Sequence, residues 1–244
     1  MTITNATTGT NVEEIAEDLY RINTPVDAIP GGFTFNQFLL VDEEPLLFHT
    51  GPRRLFPVTH EAVRHVIPPE KMRWIAFSHV EADECGALNE WLAAAPGASP
   101  LCSQIAAMVS IGDLADREPR GLEDGEKVVL GRHTLTWLDT PNLPHGWECG
   151  YLFDESARTL LCGDLLTQPG SRHPAVTESE AAVWEPSEGM RKAFSYHADL
   201  RDPKSLIEKL AATEPELLAC MHGSSYRGKG APLLRRLGEA LSGD

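Results

Sequence analysis

The sequence predicts an α+β fold in which two β-sheets form the core and helices lie outside them. Short apolar segments are grouped into two runs of β-hairpins, and each run is followed by a segment with helical character. The chain has 244 residues, of which 42% are hydrophobic, so it can bury a substantial core. We therefore predict one domain over residues 12–244, preceded by a flexible, Thr- and Asn-rich tail over residues 1–11.

The first run of strands lies near the N-terminus. Apolar segments at 19–23, 34–41 and 45–49 predict three strands. The acidic residues 42–44 separate the last two and predict a hairpin turn between them. This part of the chain is therefore expected to contain a β-hairpin that ends at residues 50–52.

A mixed segment follows this first run. Thr59 is predicted to be the N-cap of a helix, because a hydroxyl at that position can accept a free backbone N–H of the first turn. Residues 75–78 predict a buried strand, and residues 86–95 predict a helix that a Pro-Gly pair ends. Residues 102–109 fit either a short helix or a strand.

The second run of strands begins near residue 127. Segments 127–130 and 133–138 predict one hairpin, and segments 151–153 and 159–162 predict another. Residues 168–189 are rich in Pro, Ser and Glu and predict a long loop.

The C-terminal part is predicted to be mainly helical. Apolar residues with helical spacing predict a helix over 203–212, and an amphipathic pattern predicts a second over 232–241. Between them, residues 217–221 predict a final buried strand.

Charge and cysteine content exclude several classes of protein. The net charge of −15 argues against a nucleic acid or an anionic membrane surface as the partner. We find no run of about 18 apolar residues and no signal-peptide pattern, so we expect a cytoplasmic protein. The five cysteines are odd in number and lack a CxxC pair, which argues against a disulfide framework or a zinc knuckle.

The most informative motif follows the strand predicted at 75–78. His79, Glu81, Asp83 and Glu84 place one imidazole and three carboxylates within six residues. Metal ions bind such a mixture of borderline nitrogen and hard oxygen donors. An ordinary acidic loop would be the alternative explanation if this motif stood alone.

Three later residues strengthen the prediction of a metal site. His145, Asp164 and His222 each follow their own strand-like segment, so four strand ends can gather donors that are distant in sequence. Each residue alone has an ordinary explanation, such as a turn residue or a polar strand end. Their joint occurrence, in order and always after a strand, favours metal binding.

This pattern resembles the metallo-β-lactamase superfamily, and within it the di-iron branch of flavodiiron proteins and related oxygen-binding di-iron proteins. Hydrolases of the superfamily usually carry HxHxDH, whereas this chain has Glu81 and Glu84 at the third and last positions. Residues 31–36 (GGFTFN) resemble the first hairpin of that branch. Residues 195–198 (SYHA) resemble the aromatic segment beside its iron site.

The resemblance implies an αββα sandwich and a set of ligands. His79, Glu81 and His145 would bind one iron, and Asp83 and His222 would bind the other. Asp164 would bridge the two ions, with zinc or manganese as possible replacements for iron. Glu84 stays open between a ligand and a residue that orients a ligand. Tyr196 and His197 are expected to line the pocket, where His197 could supply a proton to bound oxygen.

Two principal functions and a weaker third remain open at this stage. The first is a di-iron protein that binds or reduces O2, or NO, either as an oxygen sensor with a signalling partner or as the catalytic half of a reductase. No flavodoxin-type phosphate loop for FMN is visible, so a flavodoxin, a rubredoxin or a reductase would supply electrons. A homodimer is the family expectation. The second function is a binuclear metallohydrolase acting on a lactone, thioester or phosphoester. The weaker third is a metal-binding module whose partner performs the chemistry.

Overall fold

A computed structural model describes residues 1–243 of the chain. Eight strands form the first sheet, and each pairs with the next one along the chain. They are β1 (Thr2–Asn5), β2 (Thr10–Ala16), β3 (Leu19–Val26), β4 (Phe33–Leu40), β5 (Leu46–Phe48), β6 (Trp74–Ala76), β7 (Ser99–Ser103) and β8 (Arg120–Leu122). Strands β1 to β5 pair antiparallel, and β5 to β8 pair parallel.

Seven strands form the second sheet. They are β9 (Lys127–Val129), β10 (Thr134–Asp139), β11 (Gly150–Asp154), β12 (Thr159–Gly163), β13 (Val176–Thr177), β14 (Leu217–Cys220) and β15 (Ser225–Arg227). Their order across the sheet is β13-β15-β14-β12-β11-β10-β9. Strand β14 pairs parallel with β12. The end of β12 that precedes Asp164 therefore lies beside the end of β14 that precedes His222.

The helices lie between strands in the sequence, except for α8, which follows the last strand. They are α1 (Phe56–Arg64), α2 (Ala82–Cys85), α3 (Leu88–Ala94), α4 (Gln104–Ala106), α5 (Gly112–Leu114), α6 (Glu180–Phe194), α7 (Pro203–Ala211) and α8 (Gly230–Ser242). Shorter turns are the 3₁₀ segments Arg53–Leu55, Pro69–Lys71 and Asp164–Leu166, and the π-helical segment Ala107–Ile111. Among the helices of residues 1–243, none is both long and apolar enough to cross a bilayer.

Three buried clusters define the layers. One joins Phe38 and Leu40 of β4 to residues of the second sheet such as Trp137, so the two sheets pack face to face. Leu39, which points to the opposite face of β4, packs instead in a cluster with Trp91 of α3. A third cluster covers the other side of the second sheet with residues from α7 and α8, including Leu210. The predicted α+β fold with an αββα sandwich is therefore confirmed.

The prediction of a flexible tail over residues 1–11 is wrong. Residues Thr2–Asn5 form β1, which pairs antiparallel with β2, and the register joins Thr2 to Val12. The polar composition concealed this hairpin because β1 is an exposed edge strand whose side chains need not be apolar.

Two other local predictions also differ from the structure. The first helix begins at Phe56, so Thr59 lies inside it and its hydroxyl donates to the Leu55 and Phe56 carbonyls. Pro57 fits the first turn because that turn needs no N–H donor there.

The loop predicted at 168–189 contains most of a helix. Helix α6 begins at Glu180, and the Ser179 side chain accepts the Ala182 N–H as its N-cap. Val183 and Trp184 are buried, which anchors α6 on the core despite its Pro- and Glu-rich composition. The other predicted strands and helices are confirmed to within a few residues at their ends.

Candidate metal centre

Four strand ends bring the predicted ligands together. His79 follows β6, His145 lies between β10 and β11, Asp164 follows β12 directly, and His222 follows β14. Gly163 ends β12 with φ +45°, a conformation that side chains with a Cβ rarely adopt, and it directs the chain into the Asp164 turn. Donors from both sheets therefore meet at one edge of the sandwich.

The predicted ligands form two adjacent groups. The first half-site consists of His79, Glu81, His145 and Asp164, and the second half-site consists of Asp83, Glu84 and His222. Within each group, one donor atom from every member lies within 4.8 Å of the others. The structure thus brings together all seven residues that the sequence predicted as metal ligands.

Glu81 is central to the first half-site. Its Oε2 lies 2.8 Å from His145 Nε2 and 3.3 Å from His79 Nε2. Hydrogen bonds from His145 and then His79 hold the pKa of the Glu81 carboxyl down at about 2. The carboxylate is therefore ionised and faces two imidazoles.

Asp164 stands between the two half-sites. Its Oδ1 lies 3.2 Å from His222 Nε2, while its Oδ2 lies 4.0 Å from His79 Nε2. Burial raises the pKa of Asp164, but the charge and hydrogen bond of His222 outweigh burial and lower that pKa below its usual value. Each oxygen of this carboxylate is directed to a different half-site, so Asp164 would be the residue shared between two metal ions if both half-sites were filled.

His222 joins Asp164 to Asp83 in the second half-site. Its Nε2 lies 3.3 Å from Asp83 Oδ2. Burial lowers the pKa of His222, but the Asp164 charge and the contact with Asp83 raise it to about 10. A metal ion at this position would take the place of the proton that His222 otherwise holds.

The ring nitrogens that face away from the centre are held by backbone carbonyls. His145 Nδ1 lies 3.0 Å from the Tyr196 carbonyl oxygen, and His222 Nδ1 lies 2.7 Å from the Thr34 carbonyl oxygen. An N–H donated from Nδ1 leaves Nε2 free to bind a metal ion. Both imidazoles are therefore oriented as ligands.

His79 is oriented by side chains instead. Its Nδ1 lies 2.9 Å from Ser78 Oγ, which in turn lies 3.1 Å from His49 Nε2. All three residues are buried. Burial of His79 lowers its pKa, but the nearby Glu84 charge opposes this and the net pKa lies well above the usual value.

Glu84 is the clearest sign that a cation belongs here. Its side chain is 0% exposed, and neither carboxylate oxygen has a hydrogen-bond partner. Burial first, and then the Asp164 charge, raise the pKa of Glu84 well above its usual value. A buried carboxylate without a partner is strongly unfavourable unless a cation or proton compensates it. The donor set and this orphaned group both fit a metal centre.

Tyr196 and His197 lie at the side of the first half-site. The Tyr196 and His145 ring centroids are 6.5 Å apart, and the Tyr196 hydroxyl is buried without a partner. His197 packs against Tyr196 with ring centroids 4.4 Å apart, and burial lowers its pKa to about 4. The structure therefore places both near the site, and their catalytic role stays a prediction.

Sequence reasoning missed several supporting residues. His49 belongs to no motif in the sequence, yet it is buried and contacts Ser78. Glu148 accepts the Val80 N–H at 2.9 Å and fixes the loop that carries the ligands. Only the position of Ser78, directly before His79, was a usable signal in the sequence.

An apolar cavity of about 390 Å³ adjoins the second half-site. Its walls include Phe33, Phe35, Met190 and Phe194, with Asp83 as the member shared with the metal centre. Phe33 also packs on the His222 ring, with centroids 4.2 Å apart. Apolar surroundings favour small, uncharged ligands over strongly hydrated ones.

The fold and the two half-sites define a protein of metallo-β-lactamase type with a candidate binuclear metal centre. Residues 33–223 match the model of the ODP family beta lactamase, and the chain belongs to that family. All the ligands proposed above fall within the matched residues.

Comparison with curated proteins gives relatives of moderate identity. A rubredoxin-oxygen oxidoreductase of Megalodesulfovibrio gigas is 26% identical over 205 residues, which cover 82% of this chain and 50% of that protein. A nitric oxide reductase of Moorella thermoacetica is 26% identical over 139 residues, covering 56% of this chain and 35% of that protein. The chain thus spans half or less of the length of these relatives.

Solved structures share the fold. The metal-soaked Flv1 flavodiiron core from Synechocystis superposes with a TM-score of 0.80 at 20% identity, covering 96% of this chain and 61% of that one. A flavoprotein from Thermotoga maritima superposes with a TM-score of 0.84 at 18% identity, covering 96% and 62%. The flavodiiron core is therefore the architecture that this chain adopts.

Proposed function

We propose that this chain is a non-haem di-iron protein that binds or reduces O2 or NO. The observation that carries the proposal is the position of Asp164, whose two oxygens are directed to two separate groups of imidazole and carboxylate donors. The names of the two curated relatives, an oxygen oxidoreductase and a nitric oxide reductase, support these gases as ligands.

The donors fit iron in both half-sites. His79, Glu81 and His145 would hold one ion, Asp83, Glu84 and His222 would hold the other, and Asp164 would be shared. Mixed imidazole and carboxylate sets suit iron, and the carboxylates extend the choice to manganese. Two Fe(II) ions held there would together supply two electrons, either to one O2 molecule or to two NO molecules.

The remaining residues hold this arrangement in place. Ser78 and His49 orient His79, and Glu148 fixes the loop through the Val80 N–H. The apolar cavity beside Asp83 is suited to an uncharged diatomic gas. These residues thus position ligands and admit a small substrate.

Electron supply and assembly belong to the proposal as predictions. A reductase role requires a donor such as a rubredoxin, a flavodoxin or a separate reductase, and a sensor role requires a signalling partner. We also predict a homodimer. The two roles differ in turnover, because a sensor needs one binding event whereas a reductase consumes gas for as long as electrons are supplied.

The hydrolase alternative is not favoured. The relatives named above are oxidoreductases, and Glu81 places a carboxylate between two imidazoles of the first half-site. A zinc hydrolase would be expected to gain or retain activity when this carboxylate becomes an imidazole. The two functions therefore predict opposite responses at one residue.

The test is titration of the ferrous protein with O2 and with NO, followed by optical spectra, for the natural chain and Glu81→His. We expect reaction with at least one gas in the natural chain, and a shift toward zinc with reduced gas reactivity in Glu81→His. Glu118→His, an exposed substitution, serves as the matched control and should behave as the natural chain. Cleavage of generic esters by the natural chain, with no reaction with either gas, would overturn the proposal.

A further inference from the structure

Glu84 gives the second half-site more carboxylate donors than the first half-site has. Its side chain is fully buried, and its Oε2 lies 3.9 Å from His79 Nε2. It adjoins Asp83 on α2, and the Glu84 carbonyl accepts the Thr50 N–H at 2.7 Å, which ties this short helix to the scaffold. The carboxylate is therefore held in the interior and is not free to turn to solvent.

The donors grouped around Glu84 stand at distances that suit one shared metal ion. Oxygen and nitrogen donors that share one ion at about 2.1 Å stand about 3–4 Å apart. The pairs His222–Asp83 at 3.3 Å and His222–Asp164 at 3.2 Å fall within this range. Glu84 belongs to the same group as Asp83 and His222, so its unpartnered oxygens complete the second half-site.

The two half-sites then differ in donor hardness. With Asp164 counted in both, the first offers two imidazoles and two carboxylates, and the second offers one imidazole and three carboxylates. Imidazole suits iron and zinc, whereas carboxylate oxygen suits manganese and other hard cations. A given site normally binds Fe(II) more tightly than Mn(II). Replacing an imidazole ligand by a carboxylate reduces this difference in affinity, because carboxylate oxygen suits manganese better than imidazole does.

We infer that Glu84 makes the second half-site accept Mn(II) in competition with Fe(II), so that the chain can hold one iron and one manganese. This inference rests on the proposed function, because it assumes a binuclear centre at these residues. Glu84 is then the residue that sets metal selectivity, and the first half-site remains an iron site.

The test is anaerobic reconstitution of the metal-free full chain with mixtures of Fe(II) and Mn(II), followed by metal analysis and electron paramagnetic resonance. The measured quantity is the Mn-to-Fe ratio in solution at which one manganese is bound per chain. We expect this ratio to rise about tenfold or more in Glu84→His, which replaces a hard donor by an imidazole. The natural chain should also show a manganese signal coupled to a neighbouring iron.

Two further variants keep the test decisive. Glu84→Gln preserves the shape of the side chain and removes its charge, so it should also raise the Mn-to-Fe ratio needed to bind one manganese. It serves as the test if Glu84→His fails to fold. Glu118→His adds an imidazole at an exposed position and should leave the Mn-to-Fe ratio as it is in the natural chain. Equal ratios in the natural chain and in both Glu84 variants would overturn the inference.

The outcomes separate this inference from the proposed function. Uptake of two irons at every Mn-to-Fe ratio, with gas reactivity intact, overturns the role of Glu84 and leaves the di-iron function standing. Failure of the natural chain to retain either metal overturns both.

Discussion

At the scale of single residues, buried polar side chains orient the proposed metal ligands. Ser78 is an example, because its hydroxyl lies within hydrogen-bond distance of both His79 Nδ1 and His49 Nε2. Neighbours of this kind set the ring orientation of a ligand, and their loss typically lowers metal affinity.

Ser78→Ala should therefore weaken iron binding. We expect affinity to fall about 10- to 100-fold, because His79 loses the partner that holds its ring. Competition with a chelator measures this change. Ser187→Ala is the matched control, since the Ser187 hydroxyl is buried in α6 and donates to the Trp184 carbonyl. Equal iron affinity in the two variants would show that Ser78 does not position His79.

At the scale of elements, short helices anchor the loops of the site. Trp91 of α3 is fully buried, and its Nε1–H donates to the Thr50 carbonyl at 3.0 Å. Its ring meets Phe56 of α1 edge-on, with centroids 5.2 Å apart. Helix α3 thereby holds Thr50, whose N–H donates to the Glu84 carbonyl of α2.

Trp91→Ala should lower the free energy of unfolding by about 3–5 kcal/mol, because it empties a large buried volume and leaves the Thr50 carbonyl without its donor. Urea unfolding of the metal-free protein measures this change. Trp147→Ala removes a side chain that is 62% exposed and should change stability by no more than about 0.5 kcal/mol. A loss of similar size in both variants would contradict the anchoring role.

Helix α6 contains an ion cluster whose contribution depends on pH. Glu188 contacts Arg191 at 2.7 Å and Lys192 at 2.9 Å, and the hydrogen bond from Arg191 is the main reason that the pKa of Glu188 falls to about 2. A depressed folded-state pKa stabilises the protein above the unfolded value of 4.5. This contribution is lost as the pH falls from 4.5 toward 2.

Glu188→Gln should lower the free energy of unfolding by about 1 kcal/mol near neutral pH, as expected for a partly exposed ion pair. The difference from the natural chain should shrink at about pH 3, because the unfolded state then binds the proton. Denaturant unfolding at both values of pH measures it. Glu185→Gln, at an exposed position of the same helix, is the control for loss of a carboxylate, and a difference for Glu188→Gln that stays constant between the two pH values would contradict the assignment.

At the scale of the whole molecule, the grouping of the candidate donors was predictable because they follow strand-like segments, whereas the αββα sandwich was implied by the family resemblance. His145, Asp164 and His222 each follow an apolar strand, and β-sheets carry such residues to a common edge. The division into two half-sites also agrees with the predicted ligand sets, with Glu84 placed beside Asp83.

Other features depended on tertiary contacts that local sequence does not reveal. β1 is exposed and polar, so only its pairing with β2 distinguishes it from a tail. Helix α6 depends on its Ser179 cap and on Trp184, which outweigh an unfavourable composition. His49 has no motif around it, and its contact with Ser78 arises because β5 and β6 pair side by side.

The most direct test of the central claim is the iron content of protein purified without oxygen and reconstituted with Fe(II) alone. We predict about two irons per chain, as expected for a binuclear centre with a bridging carboxylate. Two zincs per chain, with no iron taken up on reconstitution, would contradict it.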